Sequence, residues 1–126
     1  MILKSYEINK INLNTNHLIL FYGKNEGLKN EALNILIKNN VSNYEEREIL
    51  DSENDFIENI LSKSLFEREK SIIIKRATDK ILKIIEILHL KDLEDTTIII
   101  NAENLEKKSK LRFFFEKEKN LICVPF

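Results

Sequence analysis

The sequence predicts an α/β domain with three layers: a mostly parallel, five-stranded sheet with helices on both faces. Three observations carry this. Residues 71–75 (SIIIK) and 96–100 (TTIII) are β-branched runs without in-out alternation, as strands buried on both faces are. Segments with apolar residues at helical spacing separate such runs. The two patterns alternate along the chain, the order that builds parallel sheets from βαβ units.

The first strand is residues 17–22 (HLILFY), ending at Gly23. Residues 26–39 place Leu28, Ala32, Leu33, Ile35 and Leu36 on one helical stripe. Residues 45–50 read as a weaker strand. Residues 51–55 offer several N-caps for a helix carrying Phe56, Ile57, Ile60 and Leu61. After the 71–75 strand, Thr78 or Asp79 caps a helix that turns Ile81, Leu82, Ile84, Ile85 and Leu88 inward. The 96–100 strand precedes a charged helix over residues 106–118, striped by Leu111, Phe114 and Phe115. Residues 121–124 form the last strand. The whole chain, 1–126, reads as one domain, with no internal repeat, low-complexity tract or interdomain linker.

Composition narrows the function. The chain has 126 residues, 43% apolar, with a net charge of −1, so a strongly basic nucleic-acid grip is not written into the totals. The lone Cys123 lies in an apolar run, which fits a buried thiol and a reducing, cytoplasmic compartment. No segment reads as a signal peptide or membrane span. His17 and His89 lack metal-ligand company in sequence, so no metal, cofactor or catalytic residue is expected. Glu45, Glu46, Glu48 and Asp51 read as a solvated surface. Lys107, Lys108, Lys110 and Arg112, interleaved with Glu106, Glu116 and Glu118, also read as a solvated helix face with i,i+4 pairs.

The stretch between the first strand and first helix holds the place of a phosphate-cradling loop. A working loop reads G-x-x-x-x-G-K-[ST]. Counted from Gly23, Leu28 stands where the second glycine belongs, Lys29 at the lysine, and Asn30 at the magnesium-binding hydroxyl. Gly27 is one residue early. The buried 71–75 strand runs into Lys75 and Arg76, where an acidic magnesium ligand is usual. The loop reads as degenerate: Gly23, Gly27, Leu28, Lys29 and Asn30 mark its position without its chemistry.

Ser64, Leu65 and Phe66 close the second helical segment, before the charged run 67–70. Two readings stand side by side. The apolar pair covers the end of the core, or it is an exposed anchor for a partner's pocket.

Three stretches, LILFYGKNEGLKNEAL (residues 18–33), SLFEREKSIII (64–74) and TTIIINAENLEKKSKLRFFFE (96–116), occur in an order and spacing that resembles the N-terminal domain of the bacterial DNA polymerase III delta subunit, a clamp-loader component. The resemblance implies an AAA+, P-loop NTPase-like sheet of RecA-type strand order without nucleotide hydrolysis. It implies that Leu65 and Phe66, preceded by Ser64, insert into the pocket of the β sliding clamp and favour its open form. It implies the other loader subunits (gamma/tau and delta prime) as partners of the full-length protein, and primed DNA indirectly. Family members continue into lid and collar domains that this chain lacks. Two further readings remain: a small P-loop-type nucleotide-binding enzyme with a degenerate loop, and a receiver-like signalling domain. The latter lacks the acidic cluster expected at its strand ends.

Overall fold

The structure, a computed structural model, describes residues 1–37, 40–63, 70–93 and 95–126. Five parallel strands form one sheet in the order β2-β3-β4-β1-β5. They are β1 (Leu18–Tyr22), β2 (Asn40–Glu45), β3 (Lys70–Ala77), β4 (Thr96–Ala102) and β5 (Ile122–Pro125). The helices are α1 (Glu26–Leu36), α2 (Glu46–Asp51), α3 (Glu53–Lys63), α4 (Leu82–His89) and α5 (Lys110–Lys117).

The sheet is dry on both faces, as parallel sheets require. Every residue of β1 is buried, and β1 pairs with β4 through Leu18↔Ile98, Ile19↔Ile99 and Leu20↔Ile100. Alternate strand residues feed separate cores. Ile19, Phe21, Ile73, Ile99, Ile122 and Val124 pack with Ala32, Leu33 and Leu36 of α1 and with Leu3 and Ile8. Leu20, Ile72, Ile74, Ile98 and Ile100 pack beneath Ile49, Phe56 and Ile60 and the apolar sides of α4 and α5. The strand order explains why α1 stands apart. The chain moves one way along the sheet from β1 to β2, then the other way through β3, β4 and β5. Right-handed crossovers place connections of opposite direction on opposite faces. The predicted three-layer architecture is thus found, with all five strands parallel.

The predicted strand over residues 45–50 is not a strand. The chain there is α2, and the edge strand lies just before it, at Asn40–Glu45. The edge strand is polar and at most half-buried (NVSNYE), so its sequence lacks an apolar signature. Its strand state comes from pairing with β3, Val41↔Ser71 through Glu45↔Lys75. At the boundary the Glu45 amide donates to Glu48 Oε1 in a capping box, which starts α2. Glu46 also departs from the solvated reading. It is buried, and its carboxylate accepts from the Thr78 amide and hydroxyl at 3.0 Å, tying α2 to the end of β3.

The sequence showed no role for the N-terminus, which borders the sheet beyond β5. Ile2 bridges Cys123, the Leu3 amide donates to the Cys123 carbonyl at 2.9 Å, and the Met1 ammonium donates to the Leu121 carbonyl at 2.7 Å. Cys123 is fully buried, and burial, aided by Glu116, pushes its thiol pKa up to about 12. That agrees with the expected buried thiol.

Thr78 and Asp79 are the two predicted caps for the helix after β3. Thr78 takes that place, accepting from the Lys80 amide, while Asp79 caps a different helix. Its carboxylate accepts from the Ser109 hydroxyl and from the amides of Lys110 and Leu111, the opening turn of α5. That turn holds no acidic residue of its own. Burial alone would raise the Asp79 pKa. The Ser109 hydroxyl and the two amides outweigh it and hold the carboxyl below its ordinary value. A depressed carboxyl contributes stability above its unfolded pKa of about 4, and that contribution fades as pH falls through the lower folded value. Asp79→Ala is therefore expected to cost about 1 kcal/mol at neutral pH. In thermal melts the gap between wild type and variant should close under acid; a gap constant down to the lowest folded pH would contradict the account.

Candidate functional site

The chain reverses direction around β1, so β1 and β4 lead to helices on opposite faces. Between their C-terminal ends lies the crevice where open α/β sheets bind ligands. A cavity of about 390 Å³ occupies it, lined by Glu26, Lys29 and Asn30 of α1, Lys75 and Arg76 of β3, and Asn101 to Glu103 at the end of β4. This is the position assigned to the degenerate phosphate loop, and of its five residues the structure brings Lys29 and Asn30 to the cavity, while Gly23, Gly27 and Leu28 do not line it.

Each has an internal occupation. Gly23 is the one glycine with a positive φ, 117°. Its amide donates to the Glu103 carbonyl at 2.6 Å, and a Cβ there would lie 1.9 Å from the Phe126 carbonyl oxygen. The glycine is needed because β5's end crosses directly over it. Gly27 lies inside α1 with helical geometry, and an added Cβ would meet nothing closer than 3.7 Å. Leu28 is partly exposed on the helix's first turn, so no second glycine wraps an anion. Asn25 caps the helix: its side chain accepts from the Leu28 amide at 3.1 Å, using a donor that a phosphate would need.

Lys29 decides the chemistry. In a working loop the lysine ammonium reaches the β- and γ-phosphates. Here the side chain is fully buried, its Nζ donating to the Ala102 carbonyl at 3.0 Å and pairing with Glu26 Oε1 at 2.8 Å. The cation is neutralised from within and spent on bridging α1 to β4. Asn30 is exposed on the rim, and the end of β3 carries no acidic residue: exposed Lys75 and Arg76 are followed by buried Ala77. Arg76 sits at φ 53°, at the irregularity where β3 shifts register against β4, and its Nε meets Glu45 Oε1 at 3.2 Å.

Ser64, Leu65 and Phe66 lie outside the described residues, in the interval between α3 and β3. The two histidines, remote in sequence, line one small cavity of about 150 Å³ at the opposite end of the sheet, with Thr15, Lys91 and Asn120. His17 Nδ1 faces the Thr96 carbonyl at 3.1 Å, and His89 Nε2 lies 3.9 Å from Glu118. Sequence spacing could not reveal that proximity, because it depends on β1 lying beside β4. Among the described residues, no group of three or more His, Cys, Asp or Glu is placed to hold a metal, and no helix is long and apolar enough to cross a membrane.

The basic set also separates. Arg112 is half-buried: it meets Glu116 at 3.3 Å, donates to the Leu105 carbonyl and lies over the Tyr22 ring. Lys107 and Lys108 precede α5, which begins later than the predicted residue 106 because Ser109 supplies its cap, accepting from the Arg112 amide.

The two glycines should respond oppositely to alanine. Gly23→Ala combines a strained φ with a backbone clash and should cost at least about 2 kcal/mol. Gly27→Ala replaces a poor helix former in open space and should add about 0.5 kcal/mol. Denaturant unfolding of both variants checks this; equal effects would mean that the loop's glycines share one role. Comparison of the chain with protein-family models and with curated proteins returns no match.

Proposed function

We propose that this chain is a clamp-loader delta-type domain: a nucleotide-inactive α/β module that binds the β sliding clamp through Leu65 and Phe66 and helps to open it for loading onto primed DNA. The observation that carries this reading is the inward-turned Lys29 at the phosphate-loop position. A parallel α/β sheet whose crevice lysine is bonded internally fits a binding subunit better than a hydrolase. The strand order supports it, with β1 between β4 and β5 as in RecA-type sheets. ATP would be hydrolysed by other loader subunits, and the location would be cytoplasmic. Mechanically, the pair would favour the open clamp only to the extent that it binds that state more tightly than the closed ring.

Calorimetry against a bacterial β clamp tests the reading. The double variant Leu65→Ala/Phe66→Ala should lose at least about tenfold in affinity, since two apolar hot-spot side chains are removed. Unchanged affinity would sink the wedge.

The rival reading, a nucleotide-binding enzyme with an aberrant loop, draws on exposed Lys75 and Arg76 in the same crevice. Millimolar ATP with magnesium should leave the melting temperature unmoved. An upward shift would favour the rival, because a ligand binding only the folded state raises Tm.

A further inference from the structure

The outer groove between α4 and α5 takes no part in the crevice. Its floor is apolar: Leu82 from α4 and Phe113 and Phe114 from α5 border a concavity of about 380 Å³. Leu82 and Phe114 are partly buried against the core, but Phe113 is 57% exposed. Around this floor stand Lys107, Lys108, Lys110 and Lys117. All four are exposed, and the Lys117 ammonium lies 5.3 Å from the centre of the Phe113 ring.

Lys117, in the last turn of α5 and 4.0 Å from Glu118, suits the helix dipole, but Lys107, Lys108 and Lys110 at the other end work against local stability. Lysines around the first turn of a helix oppose its dipole. The first turn of α5 lacks any acidic residue, and Asp79 has to be brought in from elsewhere in the chain. The exposed Phe113 ring sets an apolar surface beside these lysines. Residues that break local rules together, in one concavity, mark a surface kept for a partner.

We propose that the α4–α5 groove docks a short acidic peptide segment of a partner protein, its apolar side chain seated on Phe113 and Phe114 and its carboxylates on the lysine rim. Charge complementarity selects the class of partner, and the apolar floor selects a segment that carries a hydrophobic anchor. A nucleic-acid strand is the weaker fit. It needs a basic track that continues along a backbone. Here Glu86 stands in the wall, Lys108 is paired with Glu106 at 3.3 Å, and the chain's net charge is −1.

The test is fluorescence anisotropy on the full chain with a fluorescein-labelled Asp-Asp-Glu-Phe-Asp-Asp peptide. Controls are the same peptide with every acidic residue replaced by lysine, and a labelled oligothymidine. The acidic peptide should bind saturably with Kd on the order of 10–100 μM at low salt, and weaken several-fold as salt rises through physiological strength. Phe113→Ser and, separately, the double variant Lys110→Glu/Lys117→Glu should each weaken it about tenfold or more. All three positions are exposed, so both proteins should melt as wild type does; if one variant fails to fold, the other reads the same groove. The proposal is overturned if the acidic peptide does not bind, if both variants bind it as wild type does, or if oligothymidine binds more tightly and is lost in the same variants, which would make the groove a nucleic-acid surface.

Discussion

The pairing of β1 with β4, side chains buried above and below, is the constraint on which the rest of this molecule depends. A strand such as Leu18–Tyr22 has no wet face, so the sheet folds only if helices cover both sides at once. The covering is unequal. One face is closed by α1 and the N-terminal residues around Leu3 and Ile8, and the other by the remaining helices. Chain direction imposes that division. A reversal of travel at β1, with a fixed crossover hand, sends the first helix alone to its face.

The same reversal opens the crevice at the ends of β1 and β4, where a sheet of this kind invites an anion. The chain answers with its own groups. Asn25 takes a helix amide, Ala102 and Glu26 take the Lys29 ammonium, and the carbonyl of Glu103 takes the Gly23 amide. Buried donors must be bonded, and these are bonded internally. What would be ligand contacts in an active site are internal bonds here: local ones from Asn25 and Glu26 at the start of the first helix, and tertiary ones from Lys29 to Ala102 and from Gly23 to Glu103 at the end of the fourth strand.

A similar economy governs the opposite helical layer. Asp79 leaves its own helix to Thr78 and closes the first turn of α5, while Glu46 leaves the surface to bind Thr78. Through these bonds the ends of β3, α2, α4 and α5 are linked by short carboxylate contacts. They free the outer side of α5 from a capping role, so that lysines and an exposed phenylalanine gather there.

The sequence alone determined the fold class, the positions of the apolar strands and the stripes of α4 and α5; of the predicted α1 stripe, Ala32, Leu33 and Leu36 are buried but Leu28 and Ile35 are exposed, because the buried face of that helix is narrower than its apolar spacing suggests. The sequence also showed the departures of Leu28 and Asn30 from a phosphate loop. These are legible because burial on both faces and helical periodicity write themselves into neighbouring residues. The polar edge strand β2 was not legible, since hydrogen bonding to β3 makes it a strand and its own side chains do not. The bond of Lys29 to Ala102 and the partners of Asp79 and Glu46 were also hidden, as were the meeting of His17 with His89 and the crossing of Phe126 over Gly23. Each joins residues far apart in the chain, so only tertiary structure, which sets distance and solvent access, could decide them.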